Sequence, residues 1–235
     1  MSKFGLLNTR RYDVRVEKLW LSWSTGKDSA WALKVLRAQG RYEIAGLLTT
    51  VNSEFDRVAM HGTRRRIAEL QAEAAGLPLN TFELPWPCSN DEYARIMSGA
   101  CAKAVSEGVT VIAFGDLFLE DIREYREQQL QGTGLKPIFP LWQLPTAQLA
   151  RDMIAGGLRA KLVCVDPAKL DPSFAGRDFD EELLRALPPG VDPCGENGEF
   201  HTCVYAGPIF SRNLSVQIGE VVERQGFCYR DLLPA

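Results

Sequence analysis

Histidine is scarce in this chain: only His61 and His201 occur in 235 residues. No pair of CxxC motifs accompanies them, and the spacing of Cys194, His201 and Cys203 fits no common zinc pattern, so zinc chemistry is not indicated. Cys194 as a nucleophile would also lack a sequence-evident base. An excess of one charge is missing too. Lys and Arg number 27 against 30 Asp and Glu, a net charge of −3, which is not the basic balance of a protein that grips a long nucleic acid. No apolar run is long enough to cross a bilayer, and Met1 to Lys18 are too charged for the apolar middle of a signal peptide. No membrane partner and a cytoplasmic location are therefore expected. Six scattered cysteines suit reduced, buried thiols better than a disulfide frame. Internal repeats and low-complexity tracts are absent. What is present is an ordinary globular balance, 46% apolar and 24% charged, which disfavours disorder and supports a real core.

Apolar runs and helical spacings alternate along the first two thirds. Lys18 to Ser24 reads as a strand feeding a loop, and Asp28 to Ala38 as a helix stopped by Gly40. Strands are expected at Tyr42 to Val51, Leu79 to Leu84, Thr110 to Phe114 and Ala160 to Val165, with a short extended piece at Lys136 to Phe139. Helices are expected at Thr63 to Ala75, Asp91 to Glu107, Ile122 to Leu130 and Thr146 to Ala155. Such alternation predicts an α/β fold with a doubly wound, mainly parallel sheet whose strand C-termini share one ligand-binding rim. Beyond Asp166, Pro and Gly punctuate a segment with one short helix near Asp180 to Ala186, and alternating apolar positions from Phe200 suggest a small antiparallel unit. The division expected is residues 1–166 as a nucleotide-binding domain and 167–235 as a smaller, substrate-binding α+β part. Arg64-Arg65-Arg66 reads as a solvated helix face.

The densest chemistry lies where the first strand meets the first helix, at Ser24-Thr25-Gly26-Lys27-Asp28-Ser29. A helix N-terminus offers free N–H groups and a positive dipole end to phosphate. Gly26 permits close backbone approach, Ser24 and Ser29 bring hydroxyls, and Lys27 brings a point charge. Asp28 is explained by a Mg²⁺ between it and phosphate, or by capping of the helix. The Walker A loop is not matched, because the glycine it requires five residues before Gly26 is replaced by Leu21.

Two further clusters stand out. Gly115-Asp116 follows a buried strand and so falls on the ligand rim, where Asp116 could hold Mg²⁺, orient a substrate amine or cap a turn. Arg123 and Arg126 share one helix face and would clamp a phosphate or carboxylate, or pair with Glu120, Glu124 and Glu127, which composition favours. In Asp192-Pro193-Cys194-Gly195-Glu196-Asn197-Gly198-Glu199-Phe200-His201-Thr202, two glycines let two carboxylates and an amide converge on a cation, an ammonium or an attacking amine. His61 reads as a helix-start residue.

The Ser24–Ser29 loop resembles the Ser-Gly-Gly-Lys-Asp-Ser loop of the ATP pyrophosphatases, departing from it at Thr25, where Gly is usual. With Gly115-Asp116 and the following Glu120 to Arg126, Phe139-Pro140-Leu141-Trp142, and Cys194 to Thr202, it occurs in the order seen in the diphthine–ammonia ligase family. Phe200-His201-Thr202 and Asn197 look closer to that family's bacterial branch, which makes no diphthamide. The resemblance implies a Rossmann-like, adenine nucleotide alpha hydrolase-type domain that binds ATP and Mg²⁺, cuts ATP between the α and β phosphates, and adenylates an acceptor carboxylate for amination. Ser24, Thr25, Gly26, Lys27, Asp28, Ser29 and Gly115 would bind ATP, with adenine beside Leu48 and Thr49. Asp28 and Asp116 would lie near Mg²⁺. Lys27, Asp116, Glu196 and Glu199 would be catalytic, and Glu196, Asn197, Glu199, Arg123 and Arg126 would meet the acceptor or ammonium. With no glutaminase-like segment found, free ammonium is the expected nitrogen donor. The acceptor would be a small molecule or a protein, and apolar C-terminal strands are compatible with a homodimer. Alternatives are another ATP pyrophosphatase, such as a tRNA-modifying adenylating enzyme, or a non-catalytic ATP- or AMP-binding regulator.

Overall fold

The structure, a computed structural model, describes residues 16–235. Most of Met1 to Lys18, read above as too charged for a signal peptide, therefore lies outside the described residues. Six strands form the first sheet: β1 (Glu17–Ser22), β2 (Tyr42–Asn52), β3 (Arg57–Val58), β4 (Leu79–Leu84), β5 (Val109–Ala113) and β6 (Lys136–Ile138). The order β3-β2-β1-β5-β6, with β4 also on β2, is parallel except for the short return strand β3. The mainly parallel sheet expected from strand–helix alternation is thus present. Its connections run through α1 (Lys27–Gln39), α2 (Arg65–Ala75), α3 (Asn90–Ser106) and α4 (Glu120–Leu130).

From β1 the chain passes to β2 on one side, and β5 joins β1 on the other. The loop after β1 and the Gly115-Asp116 step after β5 therefore meet at the sheet's topological switch point, where open α/β sheets bind ligands. Their approach is close: a Cβ on Gly115 would come within 3.0 Å of the Asp28 carbonyl carbon and the Ser29 nitrogen. Only glycine lets strand and helix backbones touch there.

After α5 (Thr146–Ala155), strand β7 (Arg159–Val165) departs from its expected place. It does not extend the parallel sheet. It pairs antiparallel with β8 (Phe200–Ala206) and β10 (Phe227–Pro234), and β9 (Val216–Arg224) completes a second sheet in the order β8-β7-β10-β9. A run such as Ala160 to Val165 is buried on both faces in either setting, so its composition is the same for both. The short helix α6 (Glu181–Ala186) precedes the Asp192–Thr202 cluster. One hydrophobic cluster runs through both sheets, from Leu19 and Leu33 to Leu162, Phe179 and Phe200. The second sheet is thereby packed against the start of α1.

Candidate active site at the loop after the first strand

The loop between β1 and α1 is held from every side. The Thr25 backbone lies at φ 73°, a left-handed conformation that a β-branched residue rarely adopts. Three contacts fix it. Its hydroxyl bonds Thr63 Oγ1 at 2.9 Å, and its carbonyl accepts from Gln71 Nε2 at 3.0 Å and from the Val204 N–H at 2.9 Å. The backbone geometry explains why glycine is usual here in the loop that this one resembles, and the bonds show how threonine is accommodated. Next, Gly26 N-caps α1 without a side chain of its own. The Lys27 N–H, one of the free donors of the helix start, is taken by Thr202 Oγ1 at 3.0 Å. Ser29 Oγ donates to the Gly26 carbonyl at 3.0 Å and lies 3.3 Å from Ser24 Oγ.

Lys27 is buried at 2% exposure. Its ammonium donates to Asp28 Oδ2 at 2.8 Å and to the Cys194 carbonyl, between the rings of Phe179 and Phe200. Burial acts against its charge, but the charge and hydrogen bond of Asp28, with the charge of Glu196, outweigh burial, so its pKa is raised and it stays an ammonium. The second cluster of the sequence thus closes on the first.

Asp28 and Glu196 are the acids whose charge acts on this ammonium. Asp28 and Asp116 are pushed up from the usual carboxylate range mainly by burial, and each feels another acid, Asp192 in one case and Asp28 in the other. Asp28 Oδ1 and Asp116 Oδ2 are buried without a hydrogen-bond partner, and Arg126 Nε faces Asp116 Oδ2 at 3.7 Å, too far for a hydrogen bond. Two unpartnered carboxylate oxygens suit a hard cation such as Mg²⁺, which takes one or two carboxylates and completes its shell with phosphate and water. Among the described residues, no group of three or more His, Cys, Asp or Glu could hold a metal.

Glu196 Oε1 accepts from the N–H groups of Leu117 at 2.7 Å and Phe118 at 3.4 Å, tying this cluster to the Gly115-Asp116 step. Burial, with the charges of Asp28 and Asp116, lifts its pKa to about 7. Glu199 is buried. Its Oε1 accepts from the Asp192 N–H at 2.9 Å and from Asn197 Nδ2 at 3.2 Å, while Oε2 has no partner. Gly195, at φ 68°, makes the turn possible, since a Cβ there would lie 2.7 Å from the Phe200 carbonyl oxygen. Asn197 itself is exposed.

The expected acceptor arginines are set apart from their neighbouring glutamates to different degrees. Arg123 pairs with Glu127 at 2.8 Å and stacks over Phe139 and Trp142, whereas Arg126 turns to Asp116 and the Phe114 ring rather than to a glutamate. The helix that carries them places Arg126 toward the rim, where a carboxylate is already present. Leu48 and Thr49, adjacent in β2, project to opposite faces of the sheet. Leu48 packs with Trp20 and Phe114, while Thr49 is buried with its hydroxyl unpartnered. A single base would meet one side chain or the other.

The models of two diphthamide synthase domains match the chain, the N-terminal domain over residues 17–137 and the C-terminal domain over 145–231. The chain belongs to the diphthamide synthase family. Among its relatives are diphthine–ammonia ligases of Homo sapiens, 28% identical over 222 residues (85% of this chain and 82% of the relative), and of Danio rerio, 28% over 224 residues (85% and 86%). That of Schizosaccharomyces pombe is 33% identical over 102 residues, 41% of this chain and 17% of the relative. In this member of the diphthamide synthase family, two residues beside the loop have roles that the sequence alone does not show. Gln71 is fully buried and binds Thr25, Trp23 and Val204. His61 does not start a helix: it lies in a turn before α2, donates from Nδ1 to the Thr202 carbonyl at 3.1 Å, and stacks on His201 with ring centroids 4.6 Å apart. A Cβ on Gly26 would sit 2.6 Å from the His61 ring. Burial holds both imidazoles well below their ordinary pKa, that of His201 at about 4, so both are neutral near pH 7.

Glu196 gives this family member a pH signature. Its folded-state pKa of about 7 stands above the ordinary 4.5, so the folded form prefers the protonated acid. Stability from this group is full below the ordinary value and is lost as pH rises toward 7, by about 3 kcal/mol. Glu196→Gln keeps the acceptor for Leu117 and loses the titration. Melting curves of the ligand-free protein should show the variant and the wild type alike near pH 4 and the variant more stable, by several degrees, at pH 8. Parallel curves at all pH values would contradict the assignment.

Proposed function

We propose that this protein is an ATP-dependent ligase that activates an acceptor carboxylate as an adenylate, releasing pyrophosphate, and aminates it with ammonium to release AMP. The observation that carries the reading is the buried Lys27 at the helix start of a Ser24–Ser29 loop, joined through Cys194 to the acidic cluster. Membership in a family whose relatives are named diphthine–ammonia ligases supports the same class.

Binding would fall to the N–H groups of the loop with Ser24, Ser29 and Lys27, and Gly115 would leave room for their approach. Mg²⁺ held by Asp28 and Asp116 would supply neutralising charge to the phosphates. An acceptor carboxylate oxygen forms a bond to the α phosphorus as the α–β bridge breaks, and pyrophosphate takes the negative charge beside the Lys27 ammonium. Ammonia then forms the amide bond at the acyl carbon, and AMP leaves. Ammonium must first lose a proton, and Glu196, with a pKa of about 7, is matched to take it near neutral pH. In this scheme the nucleotide is held mainly within residues 1–166, while Glu196, Asn197 and Glu199 of the C-terminal part meet ammonium and Arg126 steers the carboxylate.

Purified protein should convert ATP labelled on the α phosphate to AMP in the presence of Mg²⁺ and a cell extract that supplies the acceptor. ADP as the product would mean γ-phosphoryl transfer and would sink the reading.

A further inference from the structure

Outside the loop site, a cavity of about 560 Å³ opens between the C-terminal ends of β2 and β4 and the strands β9 and β10. That volume is in the range of small-molecule sites. Its wall is unusual for a surface: Phe55, Met60 and Trp86 are 42%, 73% and 47% exposed, and Phe55 and Trp86 meet edge to face at 6.0 Å. Large apolar side chains left open together around a concave space mark a binding surface rather than a solvated one.

Positive charge prevails in the wall. Asp231 is the only carboxylate among the lining residues, and it is held by Arg57 at 2.9 and 3.1 Å and by Arg64 at 2.6 Å, so two guanidinium groups outweigh it. Arg224 lies over the Phe55 ring, 5.2 Å from its centroid, and has no ion-pair partner among the described residues. A guanidinium resting on an aromatic face keeps its donors for a ligand.

The cavity also adjoins the loop site. Ala59, Met60 and Gly62 line it, while His61 between them turns its ring the other way, onto Gly26. Gly62 lies against the Tyr229 ring, where a Cβ would come within 2.7 Å, so the wall between the two sites is one turn thick.

We infer that this cavity is a second binding site, separate from the loop, for a small anion with a flat apolar body, of the aromatic carboxylate class.

Titration calorimetry on the full chain with indole-3-acetate, tryptophol and tryptamine separates charge from shape. Indole-3-acetate should bind at least about tenfold more tightly than tryptamine, with tryptophol between. Arg224→Ala should abolish that order and Trp86→Ala should weaken all three probes, whereas Lys27→Met should leave them unchanged. Equal binding of the three, no binding at millimolar concentration, or affinities untouched by both cavity variants would overturn the proposal.

Discussion

Lys27→Met should lower the rate of AMP formation by about a hundredfold or more while the protein remains folded. Removing one preorganised charge from a developing anion costs on the order of 10²–10³ in rate. The side chain is enclosed by Phe179, Phe200 and the Cys194 carbonyl at 2% exposure, and no other ammonium group takes part in these contacts. Methionine keeps the stem's length and packing, so the comparison isolates charge. The variant also leaves the Cys194 carbonyl and Asp28 short of a donor, which costs about 1–3 kcal/mol, and a modest fall in melting temperature accompanies the loss of rate. A folded variant that formed AMP at the wild-type rate would remove Lys27 from the mechanism. Loss of rate with complete unfolding is separated from this outcome by circular dichroism at the assay temperature.

Gln71→Leu is expected to have the largest effect on stability. One amide joins three elements: it accepts from Trp23 Nε1 at 2.8 Å and donates to the carbonyls of Thr25 at 3.0 Å and Val204 at 2.6 Å. Leucine fills the space but leaves an indole N–H and a strand carbonyl buried without partners, while the Thr25 carbonyl keeps only its bond from Val204. Each unpaired buried group costs about 1–3 kcal/mol, so the two together cost about 2–6 kcal/mol. For a chain of this size that corresponds to a fall of about 10 °C in melting temperature. Affinity for ATP should fall with it, because the left-handed Thr25 loses one of the bonds that hold it. A variant melting within a degree or two of the wild type would show that the network carries little of the loop's order.

Local features were the legible ones. The passage from Lys18 to Ala38 reads as strand, loop and helix because an apolar run, a small polar turn and helical spacing occur within one stretch of chain, and β1 and α1 stand there. Gly115-Asp116 fell on the rim for the same reason, directly after an apolar strand. The gathering of Cys194 to Glu199 against Lys27 followed from two clusters, each dense in the sequence, but the bond from the ammonium to a backbone carbonyl did not, since a carbonyl carries no sequence signal. Partner identity across long separations was also hidden. Gln71 lies 46 residues from Thr25 and 133 from Val204, and a buried glutamine in a helical pattern looks like any polar helix residue. His61 and His201 meet only because β8 is laid across the start of α1. The cavity is drawn from residues near 55, 86 and 224, so no window of sequence contains it. Strand β7 went to the second sheet because β8 and β10 offered it antiparallel partners, a pairing that its own composition does not encode.

If the Ser24–Ser29 loop holds the triphosphate of ATP, a crystal structure with Mg²⁺ and α,β-methylene-ATP will show it there. The β and γ phosphates should lie against the Gly26, Asp28 and Ser29 N–H groups, with the metal between Asp28 and Asp116. A triphosphate bound elsewhere on the rim, with the Lys27 ammonium still closed on Asp28 and Cys194, would contradict it.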